Sequence, residues 1–165
     1  MAIRPSQVHT KALLAATLLV TIPTANAACN IINGKAHGDC TGVTVNQDGK
    51  APLIVRGASS ESNIIFGATV FSGGSLYLYG ISNGDITIHK GGRLILAGVV
   101  SGTIRNLGGT VEVEGTVDHL FTVSGNVIVG GVVHVVSGPG AVSFRRGSVL
   151  SGTPFSTATK RSGAL

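Results

Sequence analysis

The sequence predicts an all-β fold: a single-stranded β-helix with about 15 to 18 residues per coil. Two observations predict it. The first is a recurrence. Five times a glycine opens a short strand pattern that soon meets another glycine: residues 74–80 (GSLYLYG), 92–98 (GRLILAG), 109–115 (GTVEVEG), 125–131 (GNVIVGG) and 140–147 (GAVSFRRG). The opening glycines stand 18, 17, 16 and 15 residues apart. A short period of this kind marks a stacked repeat, in which no unit buries its own apolar face and neighbours together make the core. The second observation is alternation. Leu76 and Leu78, Leu94 and Leu96, Val111 and Val113, Val127 and Val129, and Val142 and Phe144 hold equivalent places in the copies. Side chains of a strand alternate between faces, so each pair points the same way and the pairs stack into two inward ladders. Tyr77, Ile95, Glu112, Ile128 and Ser143 fall between them and point outward.

The elements follow in order. Residues 1–27 have a basic start (Arg4, His9, Lys11), an 11-residue apolar run at 12–22 and a small-residue site at Ala25, Asn26 and Ala27. This is the three-part pattern of a secretory signal peptide. The run is too short for a spanning helix, which needs roughly 20 residues. Residues 28–41 read as an N-terminal cap tied by a disulfide between Cys29 and Cys40, the only cysteines in the chain. An even pair in an exported chain favours that bond. A lipid anchor on Cys29 and a zinc site from Cys29, His37 and Cys40 are the alternatives.

The solenoid is expected over residues 42–152. Strand patterns lie at 43–45, 53–55, 64–66 and 68–71, with an Asn-Gln-Asp-Gly turn at 46–49 and a small polar loop at 58–63 (ASSESN). Within the regular copies a second strand follows each closing glycine, at 99–100, 116–117, 132–133 and 148–149. A third appears at 86–88, 103–104 and 121–123. Three short strands per coil make a small triangular helix. The strict six-residue aliphatic period of left-handed hexapeptide helices is absent, which favours the right-handed form. Seven or eight coils would give a rod of roughly 35 Å at the spacing of paired strands. Adjacent glycines at 73–74, 91–92 and 108–109 recur at one corner, where a positive φ suits glycine. Residues 153–165 carry no period and form a flexible tail or a C-terminal cap, with Phe155 expected to fold over the final coil near Val149 and Leu150.

Charge excludes some functions. The chain has 12 Lys and Arg against 7 Asp and Glu. Setting aside Arg4 and Lys11 leaves a mild basic excess spread along the chain. Aromatic residues make up 4% of it, so the basic and stacking pattern of a single-strand nucleic-acid binder is missing. No cofactor motif appears. The histidines beyond the leader (His37, His89, His119, His134) show no metal spacing, so no metal site is assigned. Asp118 and His119 are the only adjacent acid and base, with no nucleophile tied to them, so no catalytic residue is assigned.

Candidate binding residues come from the outward row. Tyr77, Tyr79, Ile95 and Ala97 would stack as an apolar, aromatic patch, and such patches are contact surfaces. Glu112 and Glu114 lie on the same face further along. Carbohydrate-cleaving β-helices use outward carboxylates. Here the neighbouring coils place no further acid beside these two, which suits charges that discourage lateral strand pairing.

Segments such as residues 91–104 (GGRLILAGVVSGTI) and 108–131 (GGTVEVEGTVDHLFTVSGNVIVGG) resemble the passenger β-helix of bacterial autotransporters and related adhesins. They are also similar to the small triangular coils of bactofilins, which polymerise end to end. The resemblance implies an exported, non-enzymatic module acting in surface or envelope interaction, adhesin-like, whose partner is a surface protein or polysaccharide. A translocator barrel is absent, and the leader argues against the cytoplasmic setting of bactofilins. A periplasmic inhibitor or immunity protein, and a polysaccharide-active enzyme, are the alternative functions. A monomer is favoured, with end-to-end assembly the alternative.

Overall fold

The structure, a computed structural model, describes residues 29–32, 35–44, 51–155 and 159–161. The expected leader and the turn at 46–49 lie outside the described residues. The strands run β1 (Cys29–Ile32), β2 (Lys35–His37), β3 (Val43–Thr44), β4 (Leu53–Val55), β5 (Ala58–Ile64), β6 (Ala68–Val70), β7 (Ser75–Ser82) and β8 (Ile86–Ile88). They continue with β9 (Arg93–Leu96), β10 (Val99–Val113), β11 (Thr116–Val129), β12 (Val132–Ser137), β13 (Val142–Phe144), β14 (Val149–Leu150), β15 (Thr153–Pro154) and β16 (Thr159–Arg161). No helix occurs among the described residues. The fold is the expected β-solenoid, of about six turns rather than seven or eight.

Each coil has three sides, and parallel pairing stacks each side on the next. On the first side Ser60 pairs with Tyr77, Tyr77 with Ile95, Ile95 with Glu112, Glu112 with Ile128 and Ile128 with Ser143. On the second, Ile81, Val99, Thr116, Val132 and Val149 follow one another. On the third, Ile54, Thr69, Thr87, Arg105, Phe121 and Ser137 do so. The residues flanking these rows point inward. Leu76, Leu78, Leu94, Leu96, Val111, Val113, Val127, Val129, Val142 and Phe144 are all buried, as the alternation predicts. Hydrophobic burial is the main favourable term, about 25 cal/mol per Å² of apolar surface removed from water.

The closing glycines have a steric cause. A Cβ at Gly98 would collide with the carbonyl oxygen of Gly80, and one at Gly115 with that of Gly98. Coils stack too closely at this corner for any side chain. The opening corner needs a different property, since Gly73 and Gly91 have φ of 81° and 79°, where an L side chain is strained.

Four local expectations are corrected. The stretch at 58–63 is strand β5 on the first side, with Ser59 and Glu61 pointing into the core. Polar residues at inward positions hid the alternation. The strand expected at 64–66 ends at Ile64, and Ile65 and Phe66 are exposed in the following turn. The third strand of the β11 coil is centred one residue earlier than expected: Leu120 and Thr122 are buried and Val123 is exposed. The last second-side strand is one residue later, pairing Val149 with Val132 and Leu150 with Val133.

Both ends turn antiparallel. β1 lies parallel on β5 as the first rung, and β2 doubles back on β1. β3 runs antiparallel on β4. At the other end β15 runs antiparallel on β14 and β16 on β13. Phe155 stacks on Phe144 at 4.6 Å between ring centroids, and its amide donates to the Ser148 carbonyl. A reversed strand covers the edge of a parallel stack without extending its helical path, which removes a template for pairing with other chains.

Candidate binding face

The first side places Tyr77 and Tyr79 outward because Leu76 and Leu78, their alternates, are fully buried. The two rings lie 6.0 Å apart and are 42% and 44% exposed. Ile95 stacks beside Tyr77 on the next coil and is half-buried. Around the corner Ile81 and Val99 pair on the second side, and both are exposed. The apolar stripe is therefore wider than the alternation of the first side alone suggests.

Glu112 and Glu114 close one border of this stripe. Both are ion-paired, which the sequence did not indicate. Arg145, two coils further on, reaches back to them: its Nη2 donates to Glu112 Oε1 at 2.6 Å and its Nη1 to Glu114 Oε1. Arg93 approaches Glu112 Oε2 at 3.6 Å from the preceding coil. Gly130, on the coil between, makes room, since a Cβ there would lie 2.5 Å from Glu114 Oε2. The hydrogen bond to Glu112, helped by the charge of Glu114, holds the Arg145 guanidinium above its ordinary pKa. The face thus joins an aromatic, apolar stripe to a balanced ladder of two acids and two arginines.

Other chemistry-bearing groups lie elsewhere. Arg56 sits over the Phe71 ring at 4.1 Å, and Phe71 stacks on His89 at 4.8 Å. These residues follow β4, β6 and β8 directly, so one corner position repeats on three coils. Asp118 pairs with His134, not with its neighbour His119: Oδ1 lies 2.9 Å from Nδ1. His119 meets the Ser137 hydroxyl instead. Ser151 comes next in the Asp118 and His134 ladder, yet its hydroxyl donates to the His134 carbonyl. The Ser151 hydroxyl is therefore not bonded to the His134 ring.

Glu61 is the buried acid that sequence reasoning missed. It is 1% exposed inside the first coil. The Ser59 hydroxyl and the Ile31 amide donate to its carboxylate. Burial outweighs both hydrogen bonds and pushes its pKa up to about 7. Cys29 and Cys40 form the expected disulfide, with Cα atoms 4.4 Å apart. Neither sulfur is left as a zinc ligand or a lipid acceptor. No cluster of three or more metal-ligating side chains occurs among the described residues, and no helix among them is long and apolar enough to cross a membrane.

Comparison with known proteins finds no matching family model, no matching curated protein and no matching solved structure.

Proposed function

We propose that this chain is an exported, non-enzymatic interaction module that binds an envelope or cell-surface partner through the first side, in the manner of an adhesin. The observation that carries the reading is the stripe of exposed Tyr77 and Tyr79 with half-buried Ile95 on the stacked coils, bordered by the Arg145, Glu112 and Glu114 ladder. Tyrosine combines an apolar ring with a polar tip, which suits a wet contact surface. Exposed apolar groups clustered on one face, with a polar border, are the usual mark of such a surface.

Two further observations support it. A disulfide accords with an oxidising compartment outside the cytoplasm. Antiparallel strands cover rungs at both ends, which favours a discrete module over an end-to-end filament of the bactofilin kind. The pairing of Glu112 and Glu114 with Arg145 weighs against the polysaccharide-cleaving alternative, because both carboxylates are engaged by one guanidinium and do not face open space for a sugar. The test is binding of the purified protein to isolated bacterial cell-envelope polysaccharide and to intact cells. The double substitution Tyr77→Ser with Tyr79→Ser should abolish binding while leaving the thermal midpoint nearly unchanged. Undiminished binding by that variant would overturn the assignment of the face.

A further inference from the structure

We propose that the C-terminal end of the solenoid is a second binding site, which takes an extended apolar peptide bearing a carboxylate as an added strand. It is independent of the tyrosine face. At this end the last rungs of two sides are covered: β16 pairs Thr159 with Phe144 and Arg161 with Val142, and β15 pairs Thr153 with Leu150. The third side differs. Its last rung is the end of β12, where Val135, Val136 and Ser137 pair with His119, Leu120 and Phe121 on the coil before. Among the described residues no strand lies on the opposite edge of this rung. An unpaired edge offers main-chain donors and acceptors to another chain, the basis of recognition by strand addition.

A pocket of about 370 Å³ opens beside that edge. Its volume falls within the range of ligand sites. Val135, Val136, Val142 and Leu150 supply apolar walls, and Val135 is 51% exposed. Arg161 and Ser137 supply polar groups, and no acid is among the lining residues. Arg161 lies 5.8 Å from the Phe155 ring, and among the described residues it has no carboxylate within ion-pair distance. The chemistry is therefore complementary to an anionic, otherwise apolar ligand. The open edge selects a peptide over a fatty acid, since only a peptide satisfies main-chain groups while its alternate side chains enter the pocket. The carboxylate meets the Arg161 guanidinium, a charge-assisted contact of the strong kind.

Fluorescence anisotropy on the full chain tests this, with the dansylated peptide Gly-Val-Thr-Val-Thr-Asp as the probe. Saturable binding is expected, weakened roughly tenfold or more by Arg161→Glu. The same peptide N-methylated at alternate amides should not bind. Backbone amide resonances of residues 135–137 should shift on titration. The Tyr77→Ser, Tyr79→Ser variant should bind the probe as the unaltered protein does, so failure here is distinguishable from failure of the tyrosine face. Thermal midpoints establish that Arg161→Glu remains folded. Three results would each overturn the proposal: unchanged affinity in Arg161→Glu, equal binding of the N-methylated peptide, or binding only when the chain is ended at Arg161. The last would mean that the residues following Arg161 occupy the groove themselves.

Discussion

The first coil and the central coils build the same rung from different materials. In the central coils the inward ladder is aliphatic throughout: Leu94 and Leu96 stack on Val111 and Val113, and these on Val127 and Val129. In the first coil the corresponding inward places hold Ser59 and Glu61, with Cys29 stacked on Ser59 and Ile31 on Glu61. There the rung depends on hydrogen bonds, a carboxyl group and a disulfide. The difference teaches that backbone pairing sets the coil, while the inward side chains decide which conditions break it. Aliphatic rungs answer to packing. The first rung answers to redox state and pH.

The strongest test of the contrast is Val113→Asp. It puts an unpaired charge into the central ladder, a cost of about 3–5 kcal/mol, enough to unfold a marginally stable domain. Glu112→Gln, one residue away and outward, should cost less than about 1 kcal/mol. Thermal or urea midpoints check both. Comparable midpoints would refute the inward and outward phase, and with it the distinction between the two regions.

Next in size is the disulfide. Removing it with the double substitution Cys29→Ala, Cys40→Ala releases a loop closed across 11 residues, and the expected loss is roughly 2–3 kcal/mol. Hydrogen exchange sharpens the comparison. Amides of β1 and β2 should lose protection, whereas those of β9, β10 and β11 should keep theirs, because each repeat contacts only its neighbours. Uniform loss of protection would mean that the stack unfolds as one unit.

The pH dependence of the first coil comes third. The folded pKa of Glu61 is raised from 4.5 to about 7. Between these values the folded state holds a proton that the unfolded state releases, so stability falls as pH rises through this window. The favourable contribution is fully present below about pH 4.5 and is lost above about pH 7. That shift converts to at most about 3 kcal/mol, and solvent screening near the end of the stack lowers it. Glu61→Gln keeps the shape and an acceptor for the Ser59 hydroxyl or the Ile31 amide. It should therefore remove the slope and be the more stable form at pH 8. Urea midpoints at pH 4.5 and pH 8 decide this. An unchanged slope in the variant would show that Glu61 is not the titrating group.

The same contrast explains what was legible in the sequence. From Gly74 onward, aliphatic residues alternate in register with the glycines, so coil, corner and inward ladder could all be read. The first coil could not, because Ser59 and Glu61 carry the inward phase in polar residues and look like a loop. The slips at Leu120 and Val149 have a related cause. Short strands with apolar residues on both faces, such as residues 120–123, leave the phase open until stacking selects Leu120 as the buried member. Tyr77, Tyr79, Glu112 and Glu114 were legible as outward residues, but Arg145, the partner of Glu112 and Glu114, lies 33 and 31 residues from them. The period itself held that signal: positions two coils apart share a face. Asp118 and His134, 16 residues apart, illustrate the one-coil version.

The smallest expected effect concerns that ion ladder. Arg145 holds Glu112 and Glu114 together, yet its side chain is 48% exposed and that of Glu114 43%. Exposed ion pairs contribute little, because water screens them and ordering long side chains costs entropy. Arg145→Ala should therefore shift the midpoint only slightly, and the shift should shrink at 1 M salt, where the screening length falls to about 3 Å. The effect on the face should be larger than the effect on the fold. Losing Arg145 frees Glu114 and leaves Arg93 as the one cation against two acids beside Ile95, so the border of the stripe becomes net negative, which would repel an anionic partner and leave a neutral one little affected. Affinity measured for charged and neutral envelope polysaccharides at low and high salt separates these cases. A large, salt-independent loss of stability in Arg145→Ala would instead make the ladder a structural clamp across three coils, and the central region would then depend on polar contacts as the first coil does.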